Sequence, residues 1–304
     1  MTAAKELEGR VAVITGGGRG IGRATALALA AAGASVMVTA RSADEIEETA
    51  SLVEAAGGRA AWCPADVTDL DAVTQMLAQA EAELGVPTIL INNAGGGVPG
   101  TGGKFELMDP EAIVKGLDTN MISAMLLTRL ALPGMLEAGK GCVVNVASGA
   151  AMLGMPFIIP YTVAKTGIAR FSEALALEML GRGVTVFAIT PGNVLTKLTN
   201  YLYPIREQVA AEMPENAPWV YPPGHELDQD RGWYPPERSA ELCLFLASGK
   251  ADALSGRFFS VHYDEAEIVA QAERVEREQL YLLRFPTFDG VEDAIYYRDP
   301  QSFG

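Results

Sequence analysis

Short apolar runs alternate with longer stretches of helical composition along most of the chain. Residues 11–15 form an apolar run that ends in a glycine cluster, and 21–32 continue rich in alanine and leucine until Gly33 stops them. That is a strand, a turn and a helix. The unit repeats with strands at 35–39, 59–63 and 88–92 and helices at 43–56 and 69–84. A long helix is expected at 109–137, then a strand at 141–147, a helix at 158–180, a strand at 184–189, a helix at 236–247 and a last strand at 256–262. This spacing implies βαβ crossovers, hence one doubly wound α/β domain with a seven-stranded parallel sheet and helices on both faces.

Two segments stand outside the alternation. Residues 192–235 are rich in proline and aromatics (Tyr201, Tyr203, Trp219, Tyr221, Trp233, Tyr234) and too apolar for a disordered linker. Two readings of 193–235 stand, an irregular insert that closes as a lid over an apolar substrate or a static surface loop whose aromatics pack on the body or on a partner subunit, within a catalytic domain spanning 1–262. From 263 to 304 a helical extension follows, with one amphipathic helix at 265–283 carrying Ile268, Val269, Ala272 and Val275 at helical spacing.

Composition narrows the function classes. A net charge of −15 over 304 residues excludes a nucleic-acid partner, which needs a concentrated basic surface. Cys63, Cys142 and Cys243 lie far apart, and two histidines are too few for a metal cluster, so free thiols and no metal are expected. The uncharged stretches 24–40 and 141–164 are broken by Gly33 and by Asn145, Pro156 and Pro160, so no membrane span is expected. The first ten residues are charged and unlike a secretory signal, which points to the cytoplasm.

Candidate chemistry gathers where strands end. Thr15-Gly16-Gly17-Gly18-Arg19-Gly20-Ile21-Gly22 lies at a strand-to-helix turn, where backbone N–H groups and the helix dipole hold a pyrophosphate. Tyr161 and Lys165 are four apart on a helix and share a face, so an ammonium can tune a phenol whose free pKa is about 10. Ser148 follows the strand at 141–147, thirteen residues before Tyr161, and Asn92-Asn93-Ala94-Gly95 ends another strand at the same sheet edge. Asn120, an unfavoured amide inside the long helix, joins them. The second strand ends Val38-Thr39-Ala40-Arg41-Ser42 with no carboxylate before Asp44. An NAD site would place an acid there for the ribose 2′-hydroxyl, whereas Arg41 suits the 2′-phosphate of NADP(H).

With these motifs in order over 7–261, the sequence resembles the short-chain dehydrogenase/reductase family, of the type to which 3-oxoacyl carrier-protein reductases belong. Asp66-Val67 and Pro191-Gly192 complete the match. The resemblance implies a Rossmann-type domain that transfers hydride reversibly between NADP(H) and a ketone or secondary alcohol. It makes Tyr161 the proton donor, Ser148 a hydrogen-bond partner of the substrate oxygen, and Lys165 a ligand of the nicotinamide ribose that lowers the Tyr161 pKa. Asn120 would help hold a water behind Lys165. Gly16, Gly18, Gly20, Ile21 and Gly22 would cradle the phosphates, with Arg19, Arg41 and Ser42 at the adenosine ribose. Asp66 and Val67 would flank the adenine, Asn93, Ala94 and Gly95 would line the cofactor, and Pro191, Gly192, Val194 and Thr196 would pass the nicotinamide. A homotetramer or homodimer is implied as well.

The chain departs from the family's pattern after the last strand, where Val261-His262-Tyr263-Asp264 replaces Asp-Gly-Gly and leads into about forty further residues. Two other readings compete. A serine hydrolase would need a glycine ahead of Val146-Ala147-Ser148-Gly149 and a base that neither His225 nor His262 evidently supplies. A non-catalytic NADP(H)-sensing protein on the same fold conflicts with the intact Ser, Tyr and Lys set.

Overall fold

The computed structural model describes residues 5–194, 197–213 and 234–283, with only the backbone of 197–203 and 206. Seven strands form one all-parallel sheet: β1 (Val11–Thr15), β2 (Ser35–Ala40), β3 (Arg59–Pro64), β4 (Ile89–Asn92), β5 (Gly141–Val146), β6 (Val184–Thr190) and β7 (Phe258–Ser260). Their order is β3-β2-β1-β4-β5-β6-β7, the expected doubly wound topology. The direction of winding reverses between β1 and β4, so a crevice opens there at the strands' carboxyl ends.

Period-two alternation along the strands feeds two cores. Ala12, Ile14, Val36 and Val38 face one side, against α1 (Gly20–Ala31) and the helix at Pro236–Ala247, numbered α8 below. Val13, Met37, Leu90 and Val143 face the other, against α3 (Leu70–Leu84), α5 (Ser123–Glu137) and α6 (Ile159–Glu178). Residues buried on both faces explain why these strands read as continuous apolar runs. Helix α2 (Ala43–Ala55) packs with α1, its first turn carrying Asp44 and Glu45.

Three expectations are corrected. The helix at 109–137 is interrupted: α4 (Pro110–Leu117) passes into a π-helical turn (Asp118–Ile122) before α5, so Asn120 occupies the bulge. The insert is not wholly irregular, because α7 (Lys197–Glu212) fills its first part. The helix at 265–283 is two short ones, α9 (Glu265–Ala270) and α10 (Ala272–Arg277), with Asp264 capping the first. Beyond α10 the left-handed Gln279 (φ 51°) and Tyr281 (φ 58°) turn the chain so that the Tyr281 carbonyl accepts from Phe258 N on β7 at 2.8 Å. Ile268 and Val275 are buried in the core beside α8, so the described part of the extension, up to residue 283, belongs to the packed body.

Candidate active site

The site is assembled along the carboxyl edge of the sheet, from the segments that follow its seven strands. After β1, Gly16 (φ 64°) and Gly20 (φ 52°) adopt backbone that favours glycine, and a Cβ at Gly22 would overlap the Gly16 carbonyl. Only glycine lets this turn close over the start of α1. That helix begins at Arg19 with no side-chain cap and no acid in its first turn, so its N–H donors and positive dipole end fit an anionic group. Thr15 fastens the turn to β4: its hydroxyl accepts from Asn93 N at 3.0 Å and Ala94 N at 2.9 Å, and Asn93 Nδ2 donates to Thr15 O at 2.8 Å.

Asn120 is 4% exposed and closes the next segment. Its Oδ1 accepts from Gly96 N at 2.8 Å, while Nδ2 donates to Gly96 O at 2.9 Å and Gly116 O at 3.0 Å. The π turn thus turns an amide inward to satisfy the backbone after β4, a common use of such bulges. A Cβ at Gly95 would lie 2.7 Å from Asn120 Oδ1 and 3.3 Å from Lys165 Nζ, so glycine keeps this passage narrow but open.

Tyr161 and Lys165 come from the first turns of α6. Lys165 is 4% exposed; Nζ donates to Val146 O at 2.8 Å and lies 5.6 Å from the centre of the Tyr161 ring. Burial pulls its pKa down to about 8. The half-buried Tyr161 phenol is pushed above its ordinary value by burial, and a hydrogen bond with Ser148 only partly offsets this. In the protein alone, desolvation therefore outweighs the ammonium's pull expected from the spacing. Ser148 is itself fixed by β5 and by accepting from Ala150 N at 3.2 Å.

Across the crevice, Gly192 (φ 69°) follows β6 and packs beneath Tyr234, whose ring a Cβ there would meet at 2.8 Å. Tyr234 N donates to Asn193 O at 2.8 Å, and its hydroxyl bonds His262 Nδ1 at 2.8 Å. Sequence reasoning placed Tyr234 in the lid insert and gave His262 no role, and spacing alone did not pair them. Val194 is buried beside this turn; Thr196, His225, Trp219, Tyr221 and Trp233 lie outside the described residues. Glu212 at the end of α7 pairs with Lys104, beyond β4, at 3.3 Å, so α7 spans from the β6 edge to the β4 edge.

At the far end of the crevice the arginines have company that the sequence did not reveal. Arg19 Nη1 donates to both Glu45 oxygens, at 2.7 and 3.0 Å. Arg41, 76% exposed and next to the exposed Ser42, lies 4.0 Å from Asp66. Burial would raise the Asp66 pKa, but hydrogen bonds from Thr68 and the charges of Arg41 and Lys115 outweigh it and leave the carboxyl below its ordinary value. Val67 is half-buried beside it.

Residues 10–206 match the short chain dehydrogenase family. The chain belongs to that family. Short-chain dehydrogenases are oxidoreductases of the alcohol and carbonyl pair, and this chain is one. The ketoacyl reductase HetN of Nostoc sp. is 37% identical over 62% of this chain and 64% of its own length. Among solved structures, an actinorhodin polyketide ketoreductase variant crystallised with NADPH is 28% identical, with a TM-score of 0.73 over 85% of this chain and 97% of its own. A short-chain dehydrogenase of Mycobacterium paratuberculosis bound to NAD is also 28% identical, with a TM-score of 0.75 over 85% of this chain and 100% of its own. Like these dehydrogenases the protein has an all-parallel sheet; among its described residues no helix is long and apolar enough to cross a membrane.

Proposed function

We propose that the protein reversibly reduces a ketone to a secondary alcohol with NADP(H), using Tyr161, Ser148, Lys165 and Asn120. The observation that carries this is the buried Lys165 ammonium, held by Val146 O, 5.6 Å from the centre of the Tyr161 ring beside the glycine cradle, with Ser148 just past the end of the same strand, β5. When bound, the nicotinamide supplies the hydride.

Tyr161 gives its proton to the substrate oxygen as negative charge develops there, and its raised pKa keeps it protonated until that moment. Ser148 donates a hydrogen bond to the same oxygen, strongest once that oxygen carries charge. Lys165 stabilises the phenolate left behind, an attraction that a buried site screens little. Asn120 holds the backbone after β4 at the distance that Gly95 requires. Gly16, Gly18, Gly20, Ile21 and Gly22 would take the pyrophosphate and Arg19, Arg41 and Ser42 the adenosine ribose. Asp66, Val67, Asn93, Ala94, Pro191, Gly192, Val194 and Thr196 would line the remainder.

The absence of a carboxylate at the end of β2, with Arg41 in that place, supports NADP(H) over NAD(H). Between Ser148 and Tyr161 the chain exposes Met152 and Leu153, the latter 70%, beside Met155, Pro156 and Phe157, which suits an apolar ketone. The 193–235 insert, with α7 tied to Lys104, serves as the lid within the 1–262 catalytic body, and 263–304 as the extension. Exposed Val114, Ile122, Met125 and Leu126 on the α4–α5 side and Val163, Leu177 and Leu180 on the α6 side support a homodimer or homotetramer. A panel of apolar ketones, followed by loss of NADPH absorbance, tests the reading. Cofactor binding without turnover of any of them would return the protein to a non-catalytic role.

A further inference from the structure

We propose that Glu45 sets how strongly the protein favours a 2′-phosphorylated cofactor, by competing for Arg19. The inference rests on the reading that the glycine-rich turn holds the adenosine ribose side of a nicotinamide dinucleotide. Its evidence is separate from the motif that led there: an internal carboxylate is held where that phosphate would need its counter-charge.

The hold is built from three sides. Glu45 lies in the first turn of α2, where the helix dipole favours an acid. Arg23 staples that turn to the glycine-rich turn, with Nη2 donating to Gly18 O at 2.6 Å and Glu45 O at 3.4 Å and Nε to Thr49 Oγ1 at 3.1 Å. Gly18 then lets the two turns touch, since a Cβ there would lie 2.8 Å from Glu45 Cβ. The carboxylate is thus delivered to Arg19 by backbone, and a single Arg19 nitrogen donates to both of its oxygens.

A phosphate approaching Arg19 meets a guanidinium already paired and a carboxylate that repels it. Arg41 is the other arginine assigned to the phosphate, since Arg23 is engaged by Gly18 and Glu48, and its Asp66 neighbour at 4.0 Å holds it less closely. Glu45 therefore lowers the affinity for the phosphorylated cofactor and leaves the unphosphorylated one nearly untouched. Arg19 is 47% exposed, so the competition is screened and modest, and it weakens with salt.

The test is calorimetric titration of the full chain with adenosine 2′,5′-bisphosphate and with adenosine 5′-phosphate, which differ only in the 2′-phosphate. Glu45→Gln, which keeps the side chain's size, is expected to tighten the bisphosphate roughly three- to fivefold and to leave the monophosphate within a factor of about two. In an Arg19→Ala background the same substitution should give a clearly smaller gain. An unchanged ratio of the two affinities in Glu45→Gln, or a gain undiminished without Arg19, overturns the proposal. A wild type that favours the monophosphate while Glu45→Gln still raises the ratio would refute the NADP(H) reading and keep this one. Binding of neither ligand by wild type would refute both.

Discussion

The two ends of the crevice hold their charges in opposite ways. At the Tyr161 end the cation is buried, its hydrogen bond goes to the Val146 carbonyl, and no carboxylate is paired with it in the described contacts. At the Arg41 end the cations are exposed, each faces a carboxylate, and water screens both. Burial costs stability and concentrates electrostatic effect on one proton; exposure costs little and gives only graded preference. On the function proposed above, chemistry belongs to the first end and selection to the second.

The sharpest way to break this contrast is Tyr161→Phe, which keeps the ring and removes the proton. Turnover should fall by roughly 10²- to 10⁴-fold with cofactor affinity nearly unchanged, as single-turnover kinetics and a binding titration would report. Turnover close to wild type would remove Tyr161 from the mechanism.

Next in size is the cost of the buried ammonium. Lys165 has a folded pKa of about 8 against an ordinary 10.5, so its charge penalises the fold fully below pH 8 and the penalty lifts as pH rises toward 10.5. Relative to Lys165→Met, wild type should gain about 3 kcal/mol of stability between pH 7 and 10.5, read from paired urea melts. Parallel pH profiles would mean that water reaches the ammonium.

The smallest effect belongs to the exposed end. Arg41→Ala should raise KM for NADPH roughly tenfold, about 1.4 kcal/mol, with KM for NADH almost unchanged. High salt should erode that difference while leaving the Tyr161→Phe defect intact. A wild type that prefers NADH would defeat the NADP(H) assignment.

The same division governs what could be read before the fold was known. Strand ends are marked locally, by glycines, asparagines and a serine after an apolar run, so the sheet and the places of Ser148, Tyr161 and Lys165 were legible. An amide unfavoured in a helix marked Asn120 itself, but the π turn around it was not legible, because the amide's partner is the backbone at Gly96, 24 residues away. Helix α7 was hidden by Pro204 within it and by the aromatics around it. The carboxylates facing Arg19 and Arg41 were hidden as well. Counting along β2 finds no acid before Asp44, yet Glu45 returns from the next helix and Asp66 from the next strand's end. Charge pairing across elements has no signature in spacing.

The bond from Phe258 to the Tyr281 carbonyl bears on where the chain can be shortened. Strand β7 is the sheet's last, and beside it Arg257, 4% exposed, is paired with Glu276. Both partners belong to the final fifth of the chain. A chain shortened before residue 276 loses both partners, leaving the buried Arg257 without this counter-ion and the Phe258 N–H without its acceptor, and is expected to melt at lower urea than the full chain.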